Sequence, residues 1–117
     1  MSTLEVSNLN DGTTTLATTY MTNGSAKAWA SLNGISFGLR DSFGISSATD
    51  VGTGNYTLNF SNAFGSTNYG GATVANNFTT FINATPTASA FNCGTRNSSN
   101  SDADSDFVVS AFHGDLA

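Results

Sequence analysis

Serine, threonine, asparagine and glycine fill half of this 117-residue chain, and no other feature narrows its fold as much. Serine and asparagine compete with a helix for backbone hydrogen bonds, threonine is stiff at its branched Cβ, and glycine loses the most backbone freedom on folding. These residues outnumber the helix formers in nearly every window, so strands and loops are expected almost throughout. Leu, Ile, Val and Phe supply only about a fifth of the residues, which is the compositional border of disorder. A net charge of −5 is too small to hold such a chain open. It therefore folds around a thin core, and a small domain of that kind gains stability by burying further apolar area against copies of itself. Association is the first expectation.

Charge removes one class of partner. With a pI near 4.1 and only Lys27, Arg40 and Arg96 as cations, the chain cannot neutralise a phosphate backbone, so nucleic acid is not expected to bind. The opening Met1-Ser-Thr-Leu-Glu5 has neither a basic nor an apolar leader region, and no run approaches the ~18 apolar residues of a membrane span. Synthesis in a cytoplasm, without membrane insertion, is the expectation. Cys93 is alone and cannot close an internal disulfide, and we read it as a small buried hydrophobe. The sequons at Asn55-Tyr56-Thr57 and Asn77-Phe78-Thr79 are what chance supplies in so polar a chain.

The clearest strand is Asn55–Phe60, where Tyr56, Leu58 and Phe60 alternate with Asn55, Thr57 and Asn59. A shorter run, Ile45–Thr49, precedes it across Asp50-Val-Gly-Thr-Gly54, so residues 45–60 are expected to form a hairpin. Further strands are expected at Lys27–Leu32, Ser36–Arg40, Ala72–Ala75, Thr79–Ile82, Ser89–Asn92 and Phe107–Phe112, the last being the most apolar run and central in its sheet. This pattern predicts an all-β antiparallel β-sandwich of about seven to eight short strands over residues 26–117. Residues 1–25 lack alternation and large apolar groups, and read as an extended arm docked on a neighbour. Residues 94–106 hold no large apolar group and read as an exposed loop.

Few residues suggest chemistry. His113 is the one histidine and lies in an apolar strand, so it reads as an ordinary strand residue; on a symmetry axis, three copies could instead ligate a metal. Asp102, Asp104 and Asp106 alternate in the 94–106 loop, as hard-cation ligands can, but the glycine and distal glutamate of an EF-hand are missing. A solvated acidic loop is the plain reading, with a Ca²⁺ or Mg²⁺ site as the sharper one. No cofactor is implied. Glu5 is the only glutamate, and no acid/base pair for sugar cleavage stands out. Among the aromatics, Trp29 and the phenylalanines read as core, while Tyr69, ahead of Gly70-Gly71, has the best claim to exposure.

Taken in order, Ser25-Ala-Lys-Ala-Trp29-Ala-Ser-Leu-Asn33-Gly34, Arg40-Asp-Ser-Phe43, Ser46-Ser47, Thr49-Asp50, Gly52-Thr-Gly54 and Asn55-Tyr-Thr-Leu-Asn-Phe60 resemble a block near the C-terminus of bacteriophage tail fibre proteins. The closing Phe107-Val-Val-Ser-Ala-Phe-His113 is similar to the strand with which such chains end. The resemblance implies a homotrimeric β-rich module on a virion surface, made in the host cytoplasm, contributing to host adsorption as a receptor-binding domain and not as an enzyme. Because so few residues precede the block, a short tail fibre or fibre-tip subunit is expected, held to other virion proteins through residues 1–25. The alternative is a capsid or tail decoration protein without a receptor. A glycan-degrading spike enzyme is a third reading, which lacks an acid/base pair. In such fibres host recognition lies on loops, which points to residues 62–71 and 94–106. The candidate contacts to a cell-surface glycan are Tyr69, Arg96, Asn97 and Asn100.

Overall fold

The computed structural model describes residues 2–117. Its elements, in order, are β1 (Asn8–Asn10), β2 (Thr15–Ala17), α1 (Thr19–Gly24), β3 (Ala26–Asn33), β4 (Gly38–Phe43), β5 (Ile45–Gly52), β6 (Asn55–Phe60), β7 (Gly70–Ala75), β8 (Thr79–Ile82), β9 (Ala90–Arg96) and β10 (Val108–His113). Eight of the strands form two antiparallel four-stranded sheets, ordered β4-β3-β10-β7 and β5-β6-β9-β8, which pack as the expected all-β sandwich.

Alternation decides which residues meet between the sheets. In β6, Tyr56, Leu58 and Phe60 point inward as predicted, and β10 contributes Val108, Ser110 and Phe112 from a central position. In β3 the inward set is Ala28, Ala30 and Leu32. Small side chains there leave room for Phe60, Phe64 and Phe112, whose rings meet edge to face with Phe60–Phe112 and Phe60–Phe64 centroids both 5.1 Å apart. A second cluster joins Leu32, Tyr56, Cys93 and Val108 nearer the other end, and Cys93 is fully buried, as expected. Trp29 departs from expectation. Alternation places it on the outer face of β3, 37% exposed, rather than in the core.

The chain crosses between the sheets four times, twice at tight corners. Gly44, at φ +70, carries it from β4 to β5 while passing so close to β3 that a Cβ would overlap the Lys27 carbonyl. Asn76 and Asn77 turn it from β7 into β8, with Asn77 at φ 62. The 45–60 hairpin forms as predicted, turning at Thr53-Gly54 with Gly54 at φ +63, and β5 runs on to Gly52. Other strand ends shift: β4 covers 38–43 where 36–40 was expected, and β9 reaches Arg96.

The first 25 residues are not extended throughout. They hold the two-stranded β1–β2 hairpin and the six-residue α1, and none of the residues in these elements is buried. Thr18 donates from Oγ1 to the carbonyls of Val6 and Ser7, tying the hairpin's stem together.

Candidate functional site

Strand register separates the two loops singled out from sequence. His113 lies opposite Ala26 and Gly70, whereas Val108 lies opposite Leu32 and Ala75. The 62–71 loop, the arm and the C-terminus therefore share one end of the sandwich, and the 94–106 segment closes the other. No single surface contains both loops.

At the arm end, Tyr69 is a packing residue. Its ring stacks on Phe64 at 4.4 Å and meets Phe60 edge-on at 5.5 Å, and its hydroxyl donates to the carbonyls of Thr87 and Ala90 at 2.9 and 3.2 Å. Burial pushes its phenol above the ordinary range. Tyr69, expected to be the most exposed of these aromatics, is half-buried by this packing. The C-terminus is pinned beside it, since Gly65 donates to the Asp115 carbonyl at 2.8 Å and Ala117 to that of Ala63 at 2.9 Å. His113 is an exposed residue on the outer face of β10, as a strand residue should be, with Nδ1 2.9 Å from the Gly24 carbonyl where the arm leaves the sandwich.

The distal end is built by a segment that folds back over the sandwich mouth instead of standing out in water. Thr95 is fully buried and donates from Oγ1 to the Ala103 carbonyl at 2.5 Å, while Ser105 is buried under the mouth. The Asp104 carboxylate accepts from the Gly54 amide at 2.7 Å and the Tyr56 hydroxyl at 2.8 Å. The Ser105 carbonyl accepts from Gly34 N–H at 2.8 Å, and its hydroxyl donates toward the carbonyls of Asn76 and Phe107. Asp106 accepts from Asn76 Nδ2 at 3.1 Å, and its carbonyl accepts from Arg40 at 3.0 Å. One short segment thus ties down the β3–β4 turn, the β5–β6 hairpin and the β7–β8 turn. The expectation of a wholly exposed loop fails because its polar groups find partners across the mouth.

The three aspartates go separate ways. Asp102 pairs with Arg96 at 3.0 Å on the surface, Asp104 faces Tyr56, and Asp106 faces Asn76. Among the described residues no three His, Cys, Asp or Glu side chains converge as metal ligands. Arg96 also lies over the Phe81 ring, 4.3 Å from its centroid, so its charge is held against β8. Asn97 organises the turn beyond β9, its Oδ1 accepting from the amides of Ser99 and Ser101 at 3.0 and 3.1 Å. Asn100, at φ 58, sits at the exposed tip with Ser98, Ser99 and Ser101. This tip offers hydroxyls and amides on a braced base, chemistry suited to hydrogen-bonding a polyhydroxylated ligand.

A cleft of about 400 Å³ went unnoticed in the sequence. It opens between the edge strands β7 and β8, lined by Gly71, Thr73, Ile82, Pro86 and Phe91 among others. Its lining comes from segments far apart in sequence, which no local pattern announces. Among the described residues, no helix is long and apolar enough to cross a membrane. Comparison with family models, with curated proteins and with solved structures found no match.

Proposed function

We propose that this chain is a structural subunit of a bacteriophage virion, a short tail fibre or fibre-tip subunit that works as a homotrimer and contributes to adsorption on the host cell. The polarity of the molecule carries this reading beside the sequence resemblance. Its long axis is 52 Å, against 28 and 24 Å across. The arm, with Leu4, Val6, Leu9 and Leu16 exposed for contact with another virion protein, lies at one end, and the braced polar tip 98–101 lies at the other. An adhesive tip works at low single-site affinity, because three copies per trimer and several trimers per particle raise the effective concentration to about the millimolar range. The role in this reading is mechanical and adhesive.

The test is competition for the host surface. Purified protein, incubated with host bacteria, is expected to bind the cells and lower phage adsorption, and the protein with Ser98, Ser99 and Ser101 replaced by alanine and Asn100, at φ 58, by glycine to lose both effects while keeping its melting temperature. Failure of the unaltered protein to bind or compete would remove the adhesive role. The exposed apolar side chains of the arm favour a second reading, a decoration protein clamped to a capsid or tail. Hundreds of copies per particle would support that reading, and a few copies at the tail would support the fibre.

A further inference from the structure

Polar side chains on the outer face of the β5-β6-β9-β8 sheet satisfy one another. Asn59 Nδ2 donates to the Ser47 and Thr49 hydroxyls at 3.0 and 3.3 Å, and Asn92 Nδ2 donates to Asn55 and Thr57 at 2.9 Å each, so the amide donors of this water-facing ladder are spent. Residues 97–101 differ. The turn is closed by its backbone, with Asn97 N–H donating to the Ser101 carbonyl and Asn100 N–H to the Asn97 carbonyl, both at 3.0 Å, and Asn97 Oδ1 takes the Ser99 and Ser101 amides. The hydroxyls of Ser98, Ser99 and Ser101 and the carboxamide of Asn100 are exposed, and none of them bonds to another described residue. The free groups of the tip are therefore neutral, and each can both donate and accept.

The charges around these groups are already engaged. The turn stands directly on the Arg96–Asp102 pair, 3.0 Å apart, and the Arg96 guanidinium also lies over the Phe81 ring. Arg40 lies over the Phe107 ring and donates to the Asp106 carbonyl at 3.0 Å. Lys27, the third of the three Lys and Arg side chains, is on β3 near the arm and donates to the Ser25 carbonyl and hydroxyl at 2.8 and 3.2 Å. No guanidinium or ammonium is left at the tip to take a phosphate or carboxylate, the task for which a free arginine fork is suited. A net charge of −5 on the chain opposes an anion further. An amine finds no better partner, since Asp102 is paired, Asp104 accepts from Gly54 and Tyr56, and Asp106 accepts from Asn76. We propose that the ligand of the 98–101 tip is an uncharged glycan, held by hydrogen bonds from its hydroxyls to Ser98, Ser99, Asn100 and Ser101. The proposal rests on the adhesive tip put forward above and adds the chemical class of what that tip takes.

Two charge substitutions test it. Asp102→Asn removes the carboxylate that holds Arg96 and so leaves a free cation beside the tip, whereas Glu5→Gln makes the same change of net charge on the arm, at the other end. Both side chains are exposed, so both variants should keep the circular dichroism spectrum of the unaltered protein. With an uncharged ligand, the two variants should bind host cells within about two-fold of each other. An acidic ligand would bind Asp102→Asn about five-fold or more tightly than Glu5→Gln, and an amine-bearing ligand would bind it about five-fold or more weakly. Either result would overturn the uncharged class and leave the adhesive tip standing. Periodate, which cleaves vicinal diols of sugars, should abolish binding when the cells are treated with it, and protease treatment should leave binding intact. Binding that survives periodate, or that is lost to protease, would overturn the glycan. Failure of the unaltered protein to bind untreated cells would instead remove the adhesive reading, and this inference with it.

Discussion

Tyr56 crosses the distal mouth of the sandwich and donates its hydroxyl to Asp104, 2.8 Å away, in a fully buried position. Burial and then the bond to that carboxylate push its phenol up to about 12, above the ordinary 10.0. The folded chain therefore holds this proton more tightly than the unfolded chain does. The corresponding stability is intact below pH 10 and is lost as pH rises toward 12. Burial of Cys93 pushes its thiol up to about 11 from 9.0, which adds a loss of the same sign beginning near pH 9. Denaturation midpoints at pH 8, 10 and 12 are expected to fall along this series. Tyr56→Phe should cost about 1–2 kcal/mol at neutral pH and make the fall between pH 10 and 12 shallower. Asp102→Asn, by contrast, breaks only the surface pair with Arg96 and should change stability by less than about 1 kcal/mol. Sequence alone suggested little of this. The bonds that fix Asp104 span 48 and 50 positions along the chain, and no local pattern encodes a partner at that distance.

Elements whose signal is local were legible. The β5–β6 hairpin follows from alternation in Asn55–Phe60 and from the glycine at its turn, and β10 from its apolar run. Trp29 reads as core beside the phenylalanines, but the period of two in β3 puts Ala28, Ala30 and Leu32 inside and leaves the tryptophan facing out. The burial of Tyr69 was not legible because it lies before β7, in a segment with no period to read, and only tertiary packing against Phe64 fixes it. The corner at Gly44 shows how one position governs two elements. Gly44→Ala should cost at least about 2 kcal/mol, read from the denaturation midpoint, since it combines a left-handed backbone with overlap on the Lys27 carbonyl. The expected loss is specific to the corner: Gly52→Ala, with open space around its Cα, should leave the midpoint within about 0.5 kcal/mol.

At the scale of the whole molecule, a thin core and two unlike ends give the chain a direction. Antiparallel pairing of β3 with β10 sets the arm beside the C-terminus, and the returning 103–106 segment braces the far end. On this account the polar composition that nearly forbids folding is what supplies a water-facing ladder and a hydroxyl-rich tip, and association supplies the apolar burial that the composition withholds. The most direct test is an electron-microscopic reconstruction of the phage particle. The account predicts three copies around a three-fold axis at the tail, with residues 1–25 toward the particle and residues 98–101 farthest from the particle. A subunit spread singly over the capsid, or one with the 98–101 tip buried against the shell, would contradict it.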